Sequence, residues 1–66
     1  MNIGKSIKVA CALAEITQDE LATRSGVRPA TISGLVKGRG NCKQSTMEAI
    51  AKAVDMPVSE FIKLGE

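Results

Sequence analysis

Helix-starting and helix-ending signals follow one another at short intervals along this sequence, and they limit the folds open to it. Thr17 begins a Thr-Gln-Asp-Glu capping box, Gly26 suits a left-handed helix stop, Pro29 suits a first helical position, and Pro57 interrupts the chain again. Between these signals apolar residues recur at helical spacing, and strand-like alternation never persists for more than a few residues. The sequence therefore predicts an all-α fold of short helices with tight connections.

The apolar pattern predicts a compact five-helix arrangement in a single domain, residues 1–66. The helices are expected at about residues 3–15, 17–25, 29–37, 45–54 and 58–64. A second capping box is predicted to begin at Ser45. A chain this short buries only about 60% of its unfolded surface, so pairing with a second copy would add useful apolar burial. The residues expected to face the core are Ile3, Ile7, Ala10, Cys11, Ala14, Leu21, Ala22, Ile32, Leu35, Val36, Met47, Ile50, Ala51, Val54, Phe61 and Leu64.

The composition argues against catalytic and metal sites. The chain has no His, Trp or Tyr and only two cysteines, so it lacks the commonest general base and metal ligand. Cys11 and Cys42 form no Cys-x-x-Cys pair, which argues against zinc. We expect both to be reduced thiols, with Cys11 a core residue rather than a reactive one. The prediction is a protein without enzymatic activity, cofactor or metal.

The sequence contains no recognisable targeting or membrane segment. No apolar run approaches the length of about 20 residues that crosses a bilayer. The first residues do not resemble a secretory signal peptide. We therefore expect a soluble cytoplasmic protein with no membrane partner.

The charges are distributed unevenly along the chain. Residues 21–47 contain five basic residues and no acidic one, whereas acidic residues outnumber basic ones on both sides of this segment. Phosphates attract Lys and Arg and repel carboxylates, so an acid-free segment suits a polyanion. An ordinary solvated basic face is the alternative interpretation of the charge alone.

The second and third predicted helices have the form of a helix-turn-helix. They are short, a turn containing Gly26 joins them, and the second is amphipathic. A helix that enters the major groove needs aliphatic residues inward and small or polar residues outward. The third helix meets this requirement, because Ile32, Leu35 and Val36 share one side and no acidic or bulky apolar residue lies on the other.

These features resemble the phage repressor and Cro-type (XRE-like) helix-turn-helix family, and the resemblance covers nearly the whole chain. It implies a lambda-repressor-like fold. The stretches that carry it are ITQDELA (16–22), SGV (25–27), ATIS (30–33), KG (37–38), TMEAIAKAV (46–54) and PVSEF (57–61).

The resemblance implies a partner and a set of contacts. The partner is double-stranded DNA at operator half-sites, bound by a homodimer at least on DNA, with the third helix in the major groove. The protein would accordingly be associated with the nucleoid. Gln18, at the start of the second helix, would contact a phosphate. The base-reading positions would be Arg28, Pro29, Ala30, Thr31, Ser33 and Gly34. The remaining backbone contacts would come from Lys37, Arg39, Asn41 and Lys43.

The groove-facing residues depart from the family's pattern. Members often carry Gln, Arg or Asn on the first turn of this helix, and these can form bidentate bonds to adenine or guanine. Here Pro29 and Ala30 occupy that turn, and Gly34 occupies a later reading position. Only Arg28 keeps the bidentate capacity. We therefore expect Arg28 to contact a guanine, Ala30 or Thr31 to contact thymine methyl groups, and DNA shape to supply the remaining selectivity.

Two functions fit the sequence. One is a small Cro- or repressor-like transcriptional regulator. The other is a protein-interaction module, such as an antitoxin or antirepressor, which the short base-reading side chains favour. The dimer contact is expected near the last helix, although its aliphatic residues could instead complete the core. These residues are Val58, Ile62 and Leu64.

Overall fold

The computed structural model describes residues 2–38 and 42–66, and in these the regular structure is entirely helical. The helices are α1 (Ile3–Ala14), α2 (Gln18–Ser25), α3 (Pro29–Val36), α4 (Gln44–Ala53) and α5 (Val58–Lys63). The domain measures 23 × 22 × 20 Å along its three principal axes. The predicted all-α, five-helix fold is confirmed. None of these helices combines the length and the apolar character that crossing a membrane requires.

Helix α1 is capped by the residues directly before and after it, Asn2 and Glu15. The Asn2 side chain accepts a hydrogen bond from the Lys5 amide at 3.0 Å. Glu15 takes a left-handed conformation with φ 57° and donates its amide to the Ala12 carbonyl. The helix therefore ends at Ala14, one residue earlier than the pattern predicted, because Glu15 has turned away from helical geometry.

The capping box at Thr17 is half confirmed. The Thr17 hydroxyl accepts from the Glu20 amide at 3.1 Å, as predicted. The predicted reciprocal bond from the Thr17 amide to the Glu20 carboxylate is wrong, since it does not form. That carboxylate accepts from Arg24 Nη2 at 3.2 Å, one turn along the helix. Gly26 ends α2 with φ 74°, as expected for a glycine stop.

The capping box predicted at Ser45 is wrong. Helix α4 begins at Gln44, and Lys43 is the capping residue, without a side-chain cap. The Lys43 carbonyl accepts from the Met47 amide at 2.9 Å, so helical bonding starts before Ser45. The Glu48 carboxylate accepts from Gln44 Nε2 at 3.3 Å. Helices α3 and α5 also end one residue before the predicted limits.

Among residues 2–38 and 42–66, eleven apolar side chains from all five helices form the core, and all of them were predicted to face it. They are Ile7, Ala10, Cys11, Leu21, Ala22, Ile32, Leu35, Met47, Ile50, Ala51 and Phe61. Five further predicted core residues are only half-buried: Ile3, Ala14, Val36, Val54 and Leu64. Burial raises the pKa of the Cys11 thiol, which favours the unreactive protonated form.

The packing of the helices decides which surface of α3 remains open. Helix α3 packs against α1 and α2, whereas α4 packs against α2 and α5, and α5 also packs against α1. Two helices therefore hold α3 from one side. Its other side is free to meet a ligand.

Candidate nucleic-acid interface

Helix α3 has one anchored side and one open side. Ile32 is 0% exposed and Leu35 is 3% exposed, so these two side chains fix the helix to the core. Of the predicted base-reading residues, Arg28, Pro29, Ala30 and Thr31 are exposed, whereas Ser33 and Gly34 are half-buried. The open side carries no carboxylate.

The Arg28 side chain, at the start of α3, has no hydrogen-bonding partner among the described residues. The backbone of Arg28 is extended, with φ −62° and ψ 139°, as the residue before a proline prefers. Its carbonyl accepts from the Thr31 and Ile32 amides at 3.0 and 3.1 Å. Its guanidinium makes no hydrogen bond or ion pair with any residue that the structure describes. No described residue therefore uses the five N–H donors of this group.

The turn between α2 and α3 is braced by a side chain that the sequence reasoning missed. The Ser25 hydroxyl donates to the Ala22 carbonyl at 3.4 Å. Its oxygen also accepts from the Val27 amide at 3.2 Å. A Ser beside Gly26 is typical of such turns, so this signal was available in the sequence. These bonds fix the path by which the chain enters α3.

Gly34 faces open space. A methyl carbon added there would have no atom within 4 Å outside its own helix segment. Together with Ala30, Thr31 and Ser33, this leaves a surface of short side chains along α3. Such a surface allows the helix backbone to come close to a partner of complementary shape.

The predicted phosphate contacts lie at helix ends. Gln18 is exposed as the first residue of α2, and Lys37 and Lys43 are exposed as the capping residues that end α3 and begin α4. Neither lysine has an ion pair with a described residue. The predicted contacts Arg39 and Asn41 lie outside the described residues.

A sequence comparison identifies the arrangement. A helix-turn-helix family model matches residues 7–61, which includes α2, the turn and α3. The chain belongs to this helix-turn-helix family. No curated protein matches the chain with significance. The resemblance to the XRE-like, lambda-repressor-like family is thereby confirmed.

Membership in the helix-turn-helix family makes double-stranded DNA the class of ligand and gene regulation the general role. The charges of the motif agree with this role. Of the basic residues at the motif, Arg24 forms an exposed ion pair with Glu20 at 3.2 Å on α2. The other described cations between α2 and the start of α4 are Arg28, Lys37 and Lys43. None of them has an ion pair with a described residue, and they lie at the two ends of α3 and at the start of α4.

Proposed function

We propose that the protein is a small Cro- or repressor-like transcriptional regulator that acts in the cytoplasm as a homodimer on paired DNA half-sites. The observation that carries this proposal is the outward face of α3, which is open and free of carboxylates while Ile32 and Leu35 anchor its other side. A helix held in this way can enter the major groove without being displaced from its own domain.

The base-reading role is assigned to the outward residues of α3. Arg28 reaches a guanine edge with two donors, because its guanidinium has no competing partner among the described residues. The methyl groups of Ala30 and Thr31 meet thymine methyls. Ser33 and Gly34 are short, so they let the helix backbone lie close to the base edges. The remaining selectivity comes from the shape and deformability of the duplex.

The phosphate-binding role is assigned to the ends of the helices. Gln18 contacts a phosphate from the first turn of α2, where backbone amides also favour an anion. Lys37 and Lys43 contact phosphates from either end of the segment that joins α3 to α4. Arg39 and Asn41, within that segment, are proposed to contribute in the same way. These contacts fix the register of α3 without reading sequence.

The Arg28→Ala variant tests the base-reading role. We expect it to weaken binding to a duplex selected from a random pool by about 1–3 kcal/mol and to relax the preference at one base pair. The measurement is a fluorescence anisotropy titration at fixed salt, followed by a repeated selection with the variant. An equal loss on every duplex would show that Arg28 contacts a phosphate.

The Lys37→Ala and Lys43→Ala variants test the phosphate role. Each is expected to lower the slope of log affinity against log salt by about one unit, because one fewer counterion is released. Each should weaken all duplexes alike. Lys52→Ala, on the exposed side of α4, is the control and should leave the slope unchanged. A lysine whose removal leaves the slope at its wild-type value does not touch the DNA backbone.

The proposed homodimer places two recognition helices about one DNA turn apart, roughly 34–36 Å. The proposed contact consists of Val58, Ile62 and Leu64, which are half-buried and pack against the core while leaving part of each side chain exposed. Sedimentation of the protein with and without the selected duplex tests this assembly. A single protomer on a two-half-site duplex at saturation would contradict it.

A protein-interaction module remains the second candidate. The observation that favours it is the shortness of the outward side chains at the start of α3. Of residues 28–33, only Arg28 has a long polar side chain. A mobility-shift titration against the upstream region of the gene, at stated salt, separates the two functions. A specific shift supports the regulator, and a weak shift equal to that of unrelated DNA supports the interaction module.

A further inference from the structure

The first turn of α1 lies directly against the last turn of the recognition helix. Gly4 is buried, and a methyl carbon added to it would lie 2.7 Å from the Val36 carbonyl oxygen and 3.0 Å from that of Leu35. Both distances are shorter than van der Waals contact. Both neighbours are backbone atoms, so no change of side-chain rotamer could relieve the overlap.

The position of this contact makes it consequential for α3. The helix has 8 residues, so it is about 12 Å long and behaves as a short rod. Its first turn is fixed by the braced connection from α2, and its middle by Ile32. Gly4 meets the end of the rod, just before Lys37. A change there would tilt the rod and move its outward face relative to the rest of the domain.

We infer that Gly4 is a positioning residue for DNA recognition, which sets the tilt and depth of α3 through its contact with the Leu35 and Val36 backbone. The inference rests on the proposed function, because it concerns how α3 is presented to a duplex. Glycine disfavours a helix relative to alanine. Here its lack of a side chain permits a close approach of two helices that no other residue allows.

The Gly4→Ala variant tests this inference when it is compared with Ile50→Val. Ile50 is fully buried on α4, which packs against α2 and α5. The substitution removes one carbon from the core and adds no atom against the Leu35 and Val36 backbone. Urea unfolding followed by circular dichroism gives the folded fraction of each variant. Anisotropy titrations then give the affinity per folded molecule for the selected duplex and for an unrelated duplex of the same length.

We expect Gly4→Ala to bind the selected duplex about tenfold more weakly per folded molecule, the size of one lost base contact. Its affinity for the unrelated duplex should stay within about twofold, because that affinity comes from charge attraction to phosphates. Ile50→Val should match the wild type on both duplexes once its folded fraction is taken into account. Amide resonances of α3 should shift in Gly4→Ala and not in Ile50→Val.

Equal affinities per folded molecule for the two variants would overturn the inference and leave the proposed function standing. A wild-type protein that prefers no duplex would remove the proposed function and the inference together.

If the Gly4→Ala variant does not fold by itself, the substitution is combined with Ser6→Ala. The Ser6 hydroxyl is buried without a partner among the described residues, so its removal stabilises the fold. If Gly4→Ala stays unfolded there while Ile50→Val folds, Gly4 serves stability only and the inference is wrong.

Discussion

Replacing Gly34 with Glu is expected to abolish selective duplex binding while leaving the domain folded. A side chain at this position would project into open space, since no described atom outside its own helix segment lies within 4 Å of an added methyl carbon. The new residue therefore meets no steric barrier in the free protein. In the proposed complex it brings a carboxylate against the phosphates and the acceptor atoms of the groove. Like charges brought together at an interface cost several kcal/mol, so affinity should fall by at least about a hundredfold.

The matched control is Gly34→Gln, which has nearly the same size and no charge. Both substitutions replace a helical glycine with a better helix former, so both should raise the free energy of unfolding by about 0.5–1 kcal/mol. The control separates the effect of bulk from that of charge, because a loss shared by both variants comes from bulk alone. The measurement is an anisotropy titration at two salt concentrations, with urea unfolding of each variant. If the Glu and Gln variants bind equally well, Gly34 does not face the duplex.

The number and the buried sides of the helices could be predicted from the sequence because both depend on a repeating pattern. Ile7, Ala10 and Cys11 repeat at the helical period, and so do Met47 and Ile50. Burying such a stripe is the main source of stability for short helices. A residue that lies near the end of a helix, such as Ile3 or Leu64, has less of the domain around it and is only half-buried.

The outcome of each capping prediction depended on the hydrogen bonds that neighbouring residues form at the start of the helix. At Thr17 the hydroxyl bond formed, but Arg24 lies one turn beyond Glu20 and takes its carboxylate. At Ser45 the same sequence signature met a helix that already begins at Gln44. A four-residue signature contains no information on residues outside it, and here those outside residues decided the bonding.

The anchored and open sides of α3 were predictable, but the contact that holds its end was not. The periodicity of α3 separates Ile32 and Leu35 from the outward residues. Gly4 appears in the sequence only as a glycine near the start of a helical pattern. A glycine permits a close backbone approach, but it also serves in turns and helix ends, so the residue type alone does not predict a contact. Which helix approaches is decided by tertiary packing, so the pairing of Gly4 with Val36 required the structure.

Replacing Phe61 with Ala is expected to have the largest effect on stability. Phe61 is 0% exposed and is the only aromatic residue of the chain. Removing a buried Phe side chain costs about 3–5 kcal/mol. At roughly 0.05–0.15 kcal/mol per residue, a chain of 66 residues has only about 3–10 kcal/mol in total. The substitution should therefore remove at least about a third of this stability, and all of it where the wild type lies near the lower limit.

Leu13→Ala is the control for this variant, because Leu13 is 65% exposed and should change stability by less than about 0.5 kcal/mol. Urea unfolding measures both, and equal midpoints would show that Phe61 does not hold the core together. The selected duplex adds a second test. Helix α5 packs mainly against α1 and α4, so folded Phe61→Ala should still bind. Free duplex at about 100 times its Kd should then restore about 2.7 kcal/mol of stability and recover helical signal, whereas unrelated DNA at the same concentration should restore much less.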